Sequence, residues 1–144
     1  MRTRFVLAVV IACLAFAPGI NTELFAHGDV SPQPIDTTGL EPLKEGEWLA
    51  ENPYVGNATA IKIGMSGYNQ NCARCHGLEA ISGGLAPDLR YLELGKTGDE
   101  WFLQRIRHGA KMPDGSTLMP GFEGIFNQEA MWAIRAYLVS IHEE

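Results

Sequence analysis

The stretch YNQNCARCHGLEA sets Cys72 and Cys75 three positions apart and places His76 directly after the second cysteine. At 3.6 residues per helical turn, the three side chains project from nearly one side of a single turn. Two thiols so placed can form thioether bonds with the vinyl groups of a haem while the adjacent imidazole binds its iron, and C-x-x-C-H is the order that attaches haem covalently. Three other chemistries use the same residue types. A thiol-disulfide exchanger places its pair at a helix N-terminus after a strand, where the dipole lowers a thiol pKa; here the pair follows a helical pattern. A structural zinc site needs a fourth ligand and usually a second close pair of cysteines. An inert disulfide accounts for Cys72 and Cys75 but leaves His76 without a task.

An iron held by His76 has a second axial face, and its occupant decides the function. A methionine thioether stabilises ferrous iron and favours electron transfer, whereas an open position favours ligand binding or peroxide chemistry. The candidates are Met65, Met112, Met119 and Met131. Met65 shares an element with His76 and would have to cross the ring. Met131 lies on an apolar helical stripe and reads as core. Met112 precedes the polar turn PDGS, which tends to the surface. Met119 sits deeper in its loop, where Pro120 biases it to an extended backbone and Gly121 permits close approach; Met119 is the preferred ligand. His108 closes a helix, where an imidazole meets the dipole favourably, His142 lies in a C-terminal tail expected to fray, and His27 has no partner pattern for a copper site.

These groups need elements to position them. NATAIKIGMSGYNQNCARCH reads as one helix, capped by Asn57, with Ile61, Met65 and Tyr68 on its apolar face. GLEAISGGLAPDL has too many breakers to be regular. TGDEWFLQRIRHG reads as a second helix with Thr97 as cap, Phe102, Leu103 and Ile106 as apolar set and Gly109 as stop. Residues 110–126 read as loop. NQEAMWAIRAYLVSIHEE reads as a third helix, capped by Asn127, with Met131, Ile134, Leu138 and Ile141 in a stripe. The fold class is therefore all-α: three main helices with long loops, preceded by an extended arm over residues 27–56 that carries Pro32, Pro34, Pro42 and Pro53. So little regular structure leaves room for a bulky filler, and a chain lacking it is expected to be largely unfolded.

Arg2 and Arg4 precede an apolar run from Phe5 to Ala17, too short to span a bilayer, which reads as a signal peptide over residues 1–26 cleaved after Ala26. The export segment directs the chain to the periplasm. Cys13 fits a lipid-attachment pattern, but the apolar run continues past it. Cleavage leaves 9 basic and 16 acidic residues, a formal charge of −7, which makes nucleic acid a poor partner. The basic cluster Arg105, Arg107 and Lys111 reads as a solvated helix end.

GMSGYNQNCARCHG, GLAPDL and LMPGFEGIFNQEAMWAIRAYL together resemble the class I c-type cytochromes over nearly all of residues 57–141, and the domain so implied runs over residues 57–144. The resemblance implies a small cytochrome c-like fold around one haem c, with Cys72 and Cys75 as covalent anchors and His76 and Met119 as axial ligands. It also implies that the Pro87 carbonyl accepts a hydrogen bond from His76. YNQNCARCHGLEAISGGLAPDLR, GDEWF and QEAMWAIRAYL, with HGDVSPQPID and NPYVGN, are similar to the periplasmic cytochromes that accept electrons from PQQ-dependent alcohol dehydrogenases of the ethanol-oxidising type. That likeness implies a monomeric electron carrier, not an enzyme. Its donor would be a quinoprotein alcohol dehydrogenase and its acceptor a downstream cytochrome or terminal oxidase. Related methylotroph cytochromes can carry calcium, for which no side-chain cluster stands out here. The readings from other classes are a peroxidase-like protein, a haem-based ligand sensor and a thiol-disulfide oxidoreductase using Cys72 and Cys75.

Overall fold

Asn57 ends the extended arm, and its side-chain oxygen accepts hydrogen bonds from the Thr59 and Ala60 N–H groups, which start α1 at Ala58–Asn71. The structure is a computed structural model that describes residues 31–144; the expected export segment, its cleavage site at Ala26, Cys13 and His27 lie outside the described residues. The single helix expected through His76 is interrupted at Cys72 (φ −115°), so the haem-motif residues form a separate turn, α2, at Ala73–His76. A 3₁₀ turn follows at Leu78–Ala80, then α3 at Gly95–His108 and α4 at Gln128–Ser140. Asn127 caps α4 through the Ala130 N–H. Thr97 does not cap α3: the helix begins two residues earlier, after Leu94, with no side-chain cap.

Residues 110–126 are more ordered than their proline and glycine content implies. Ala110–Lys111 (β1) pairs antiparallel with Thr117–Met119 (β2), closing a small hairpin over the PDGS turn. Two or three residues per strand are too few to show alternation in the sequence.

The core is the crossing of α1 and α4. Met131, Trp132, Ala133, Ile134, Ala136 and Leu138 are buried on α4, against Ala60, Gly64, Gly67 and Tyr68 of α1. The apolar face assigned to α1 is corrected here, because Met65 is 44% exposed while Gly64 is buried. A Cβ at Gly64 would lie 1.9 Å from the Ala133 carbonyl oxygen, so glycine sets how closely the two backbones approach. Tyr68 and Tyr137 then meet with ring centroids 5.5 Å apart.

The arm from residue 31 is stitched to this pair. Gln33 exchanges hydrogen bonds with Asn71, the Leu43 N–H donates to Glu129 (2.7 Å) and the Leu49 N–H to Gln128 (2.8 Å). Buried Asn52 donates its N–H to Asp99 (2.8 Å) and its amide to the Trp132 carbonyl (3.1 Å). Asp99 also accepts from Arg135 Nε at 2.7 Å, and Arg135 Nη2 donates to the Glu93 carbonyl at 2.6 Å. A buried arginine survives only because these groups satisfy it. The C-terminal tail is likewise tied, since Arg90 holds Glu143 through side chain (2.6 Å) and backbone (3.1 Å).

Candidate functional site

Cys72 and Cys75 flank one turn, closed by N–H donors of Cys75 (3.1 Å) and His76 (3.0 Å) to the Cys72 carbonyl. Neither sulfur is in a disulfide. Burial pushes the Cys72 thiol up to about 12, the wrong direction for an exchange nucleophile, which works as a thiolate. Among the described residues, no three His, Cys, Asp or Glu side chains converge as a tetrahedral site would require.

His76 Nδ1 lies 2.8 Å from the Pro87 carbonyl oxygen. A carbonyl only accepts, so Nδ1 carries the proton and the lone pair is left on Nε2. The turn holding Pro87 is built for this approach. Gly77 takes φ +82°, and a Cβ there would lie 1.8 Å from the Ile81 carbonyl oxygen, while the Tyr68 hydroxyl donates to the Gly77 carbonyl at 2.8 Å. Glu79 and Ala80 take left-handed backbone (φ 56° and 61°). Asp88, next to Pro87, accepts from the N–H groups of Ser82 (3.1 Å) and Arg90 (3.0 Å) and from the Arg90 guanidinium (2.9 Å). That guanidinium holds its carboxyl down at about 2.

Met119 stands on β2, opposite Ala110, half-buried against the core, whereas Met112 is exposed at the hairpin turn. Its backbone is gripped from α3: a Cβ at Gly109 (φ +71°) would lie 2.2 Å from the Met119 carbonyl oxygen, and one at Gly121 would lie 2.6 Å from the Arg107 carbonyl oxygen. The Phe122 N–H donates to Ile106 (2.9 Å) and the Glu123 N–H to Arg107 (3.2 Å). Met131 is fully buried in the core.

The residues fit a large planar apolar group. Leu78 (72% exposed), Leu85 (75%) and Leu118 (63%) project without cover from the three segments that carry His76, Pro87 and Met119. Such apolar exposure calls for a partner, to which the Cys72 and Cys75 thiols and His76 Nε2 would offer attachment points. A cleft of about 260 Å³ beside Tyr91, Leu92, Glu93 and Trp101 includes none of these groups.

Residues 59–138 match the family described as cytochrome C oxidase, cbb3-type, subunit III. The chain is 57% identical over 127 residues to cytochrome c550 of Pseudomonas aeruginosa, covering 85% of this chain and 86% of that one. The chain belongs to the cytochrome c family. This cytochrome therefore carries one covalently bound haem c and is an electron carrier and not an enzyme. It is also 39% identical over 97 residues to the quinohemoprotein alcohol dehydrogenase ADH-IIG of Pseudomonas putida, of which the match covers 13%. Cytochrome CL of Methylophaga aminisulfidivorans shares the fold (TM-score 0.54, 22% identity, 74% of this chain and 73% of that one).

Sequence reasoning missed the Asn52–Asp99–Arg135 network, whose only signal is an arginine amid the apolar residues of α4. It also misread Arg107. Far from solvated, Arg107 has a side chain only 16% exposed, with its guanidinium 3.9 Å from the Trp48 ring centroid and 2.7 Å from Glu123. The contact depends on the arm, which sequence spacing cannot place.

Proposed function

We propose that this cytochrome works in the periplasm, after cleavage at Ala26, as a monomer that takes single electrons from a PQQ-dependent alcohol dehydrogenase. It passes them to a downstream cytochrome or terminal oxidase. The observation that carries the donor assignment is the 39% identity to a segment that makes up 13% of a quinohemoprotein alcohol dehydrogenase. A free carrier of the same ancestry suits a quinoprotein partner that lacks such a segment.

In this reading Cys72 and Cys75 hold the haem by thioether bonds, and His76 Nε2 and the Met119 sulfur are the axial ligands. Bound there, haem supplies a one-electron ferric/ferrous couple. The Pro87 carbonyl fixes the His76 tautomer and makes the imidazole a stronger donor. Asp88, bridged to Ser82 and Arg90, keeps Pro87 in place. The Met119 sulfur would be the second iron ligand, leaving no open position for substrate, so the chemistry on offer is electron transfer. Among the described residues no helix is long and apolar enough to cross a membrane.

The test is to mix the purified ferric protein with a PQQ-dependent alcohol dehydrogenase and ethanol and to follow the visible spectrum. Reduction by one electron per chain, dependent on both enzyme and ethanol, is expected. A protein that dithionite reduces but the enzyme does not would overturn the donor assignment. The intact mass of periplasmic material checks both the cleavage at Ala26 and a covalent haem.

A further inference from the structure

We infer that Trp48 and Arg107 are positioning residues for Met119: the aromatic face of the arm covers the Arg107 guanidinium, whose pairing with Glu123 braces the segment that presents the thioether. The inference rests on Met119 being the axial ligand. Glu123 stands four residues beyond Met119, and residues 121–123 lie along the Ile106–Arg107 backbone through the two hydrogen bonds and the Gly121 approach described above. Arg107 Nη2 bonds one Glu123 oxygen at 2.7 Å, and His108 Nδ1 lies 3.3 Å from the other. Both side chains of α3's end thus close on the segment that follows the ligand.

The arm completes the brace. Trp48 is presented by Gln128, which accepts from the Leu49 N–H (2.8 Å) and donates to the Glu47 carbonyl (2.8 Å), gripping the backbone on either side of it. Gln128 is itself fixed by the Trp132 indole N–H at 3.1 Å. With Trp48 in place, Arg107 Nε is buried and has no hydrogen-bond partner among the described residues. A guanidinium kept from water on that side holds more tightly to the aromatic face and the carboxylate it does have. Without the indole, water competes for Arg107 and the grip on Glu123 loosens, so the Met119 segment lifts from its seat more often.

The measurement is the rate at which imidazole displaces the methionine from the ferric holoprotein, followed by loss of the weak near-infrared methionine-to-iron absorption. A strongly bound methionine must leave first, so this rate reports opening of the segment. Trp48→Ala and Arg107→Gln are expected to raise it about tenfold, a difference of about 1.4 kcal/mol, and Trp48→Phe to restore it to within about twofold, since the aromatic face remains. Ile35→Ala, which loosens the arm where it packs on Gly67, controls for general destabilisation and should leave the rate unchanged. An unaltered rate in folded Trp48→Ala, or equal acceleration in Ile35→Ala, overturns the brace while leaving the ligand assignment standing. Absence of the absorption from the unsubstituted protein overturns both.

Discussion

At the residue scale, the decisive contrast is between His76, whose Nδ1 is engaged by Pro87, and the two thiols, neither of which is in a disulfide although Cys72 packs against the core. An imidazole held in one tautomer at 2.8 Å is prepared to ligate, and a Cys72 thiol whose pKa burial raises is prepared to remain a thiol until an electrophile arrives. Met119→Ala is expected to lower the midpoint potential, within the roughly 0.8 V that axial ligands command, and to let the reduced protein bind carbon monoxide. Potentiometry and a carbon monoxide difference spectrum check it; the same outcome from Met112→Ala instead would move the ligand to Met112. Asp88 sets an acid limit. Its folded pKa is depressed from 3.8 to about 2, chiefly by the Arg90 guanidinium, so its contribution to stability is complete above the ordinary carboxylate value and is lost as pH falls through that interval. Asp88→Asn should therefore flatten the stability profile between about pH 4 and pH 2, read by thermal melts across that range.

At the scale of elements, the spacing of α1 from α4 is fixed by an absent side chain. Gly64→Ala places a methyl 1.9 Å from the Ala133 carbonyl oxygen, which backbone can relieve only by moving apart. A loss of about 1–3 kcal/mol is expected by denaturant titration, with the Tyr68–Tyr137 contact weakened. The buried ion pair behaves differently. Arg135→Met takes the guanidinium away from buried Asp99, which keeps the Asn52 N–H, and should cost about 3–5 kcal/mol, while adding Asp99→Asn should recover part of it, because Asn52 keeps a neutral acceptor. A double variant no better than the single one would show that shape, not charge, sets the cost.

At the scale of the described residues as a whole, α1 and α4 cross, α3 packs against α4, the arm is hydrogen-bonded to them, and the hairpin packs on the core only through Met119. Under the proposed attachment, the exposed Leu78, Leu85 and Leu118 are apolar surface that haem would cover. Cys72→Ala with Cys75→Ala, expressed where haem is attached, is expected to yield colourless protein with most of its helical circular dichroism gone; native helicity without haem would sink this. The acidic balance of the chain, a formal charge of −6, predicts that electron exchange with a basic partner slows as salt rises, checked by stopped-flow reduction at several ionic strengths.

Much of the chemistry was legible because it is local. Cys72, Cys75 and His76 fall within five residues, Asn57 and Asn127 cap helices whose first turns they adjoin, and Met131, Ile134 and Leu138 repeat at helical spacing. Only the tertiary structure decided matters that depend on which distant segments meet. It broke the first helix at Cys72, folded residues 110–119 into a hairpin, and turned Arg107 from a surface charge into the underside of Trp48. A residue's neighbours 59 positions away have no signature in its own stretch of sequence. Packing supplies them, and with them the dehydration that gives a buried charge its grip.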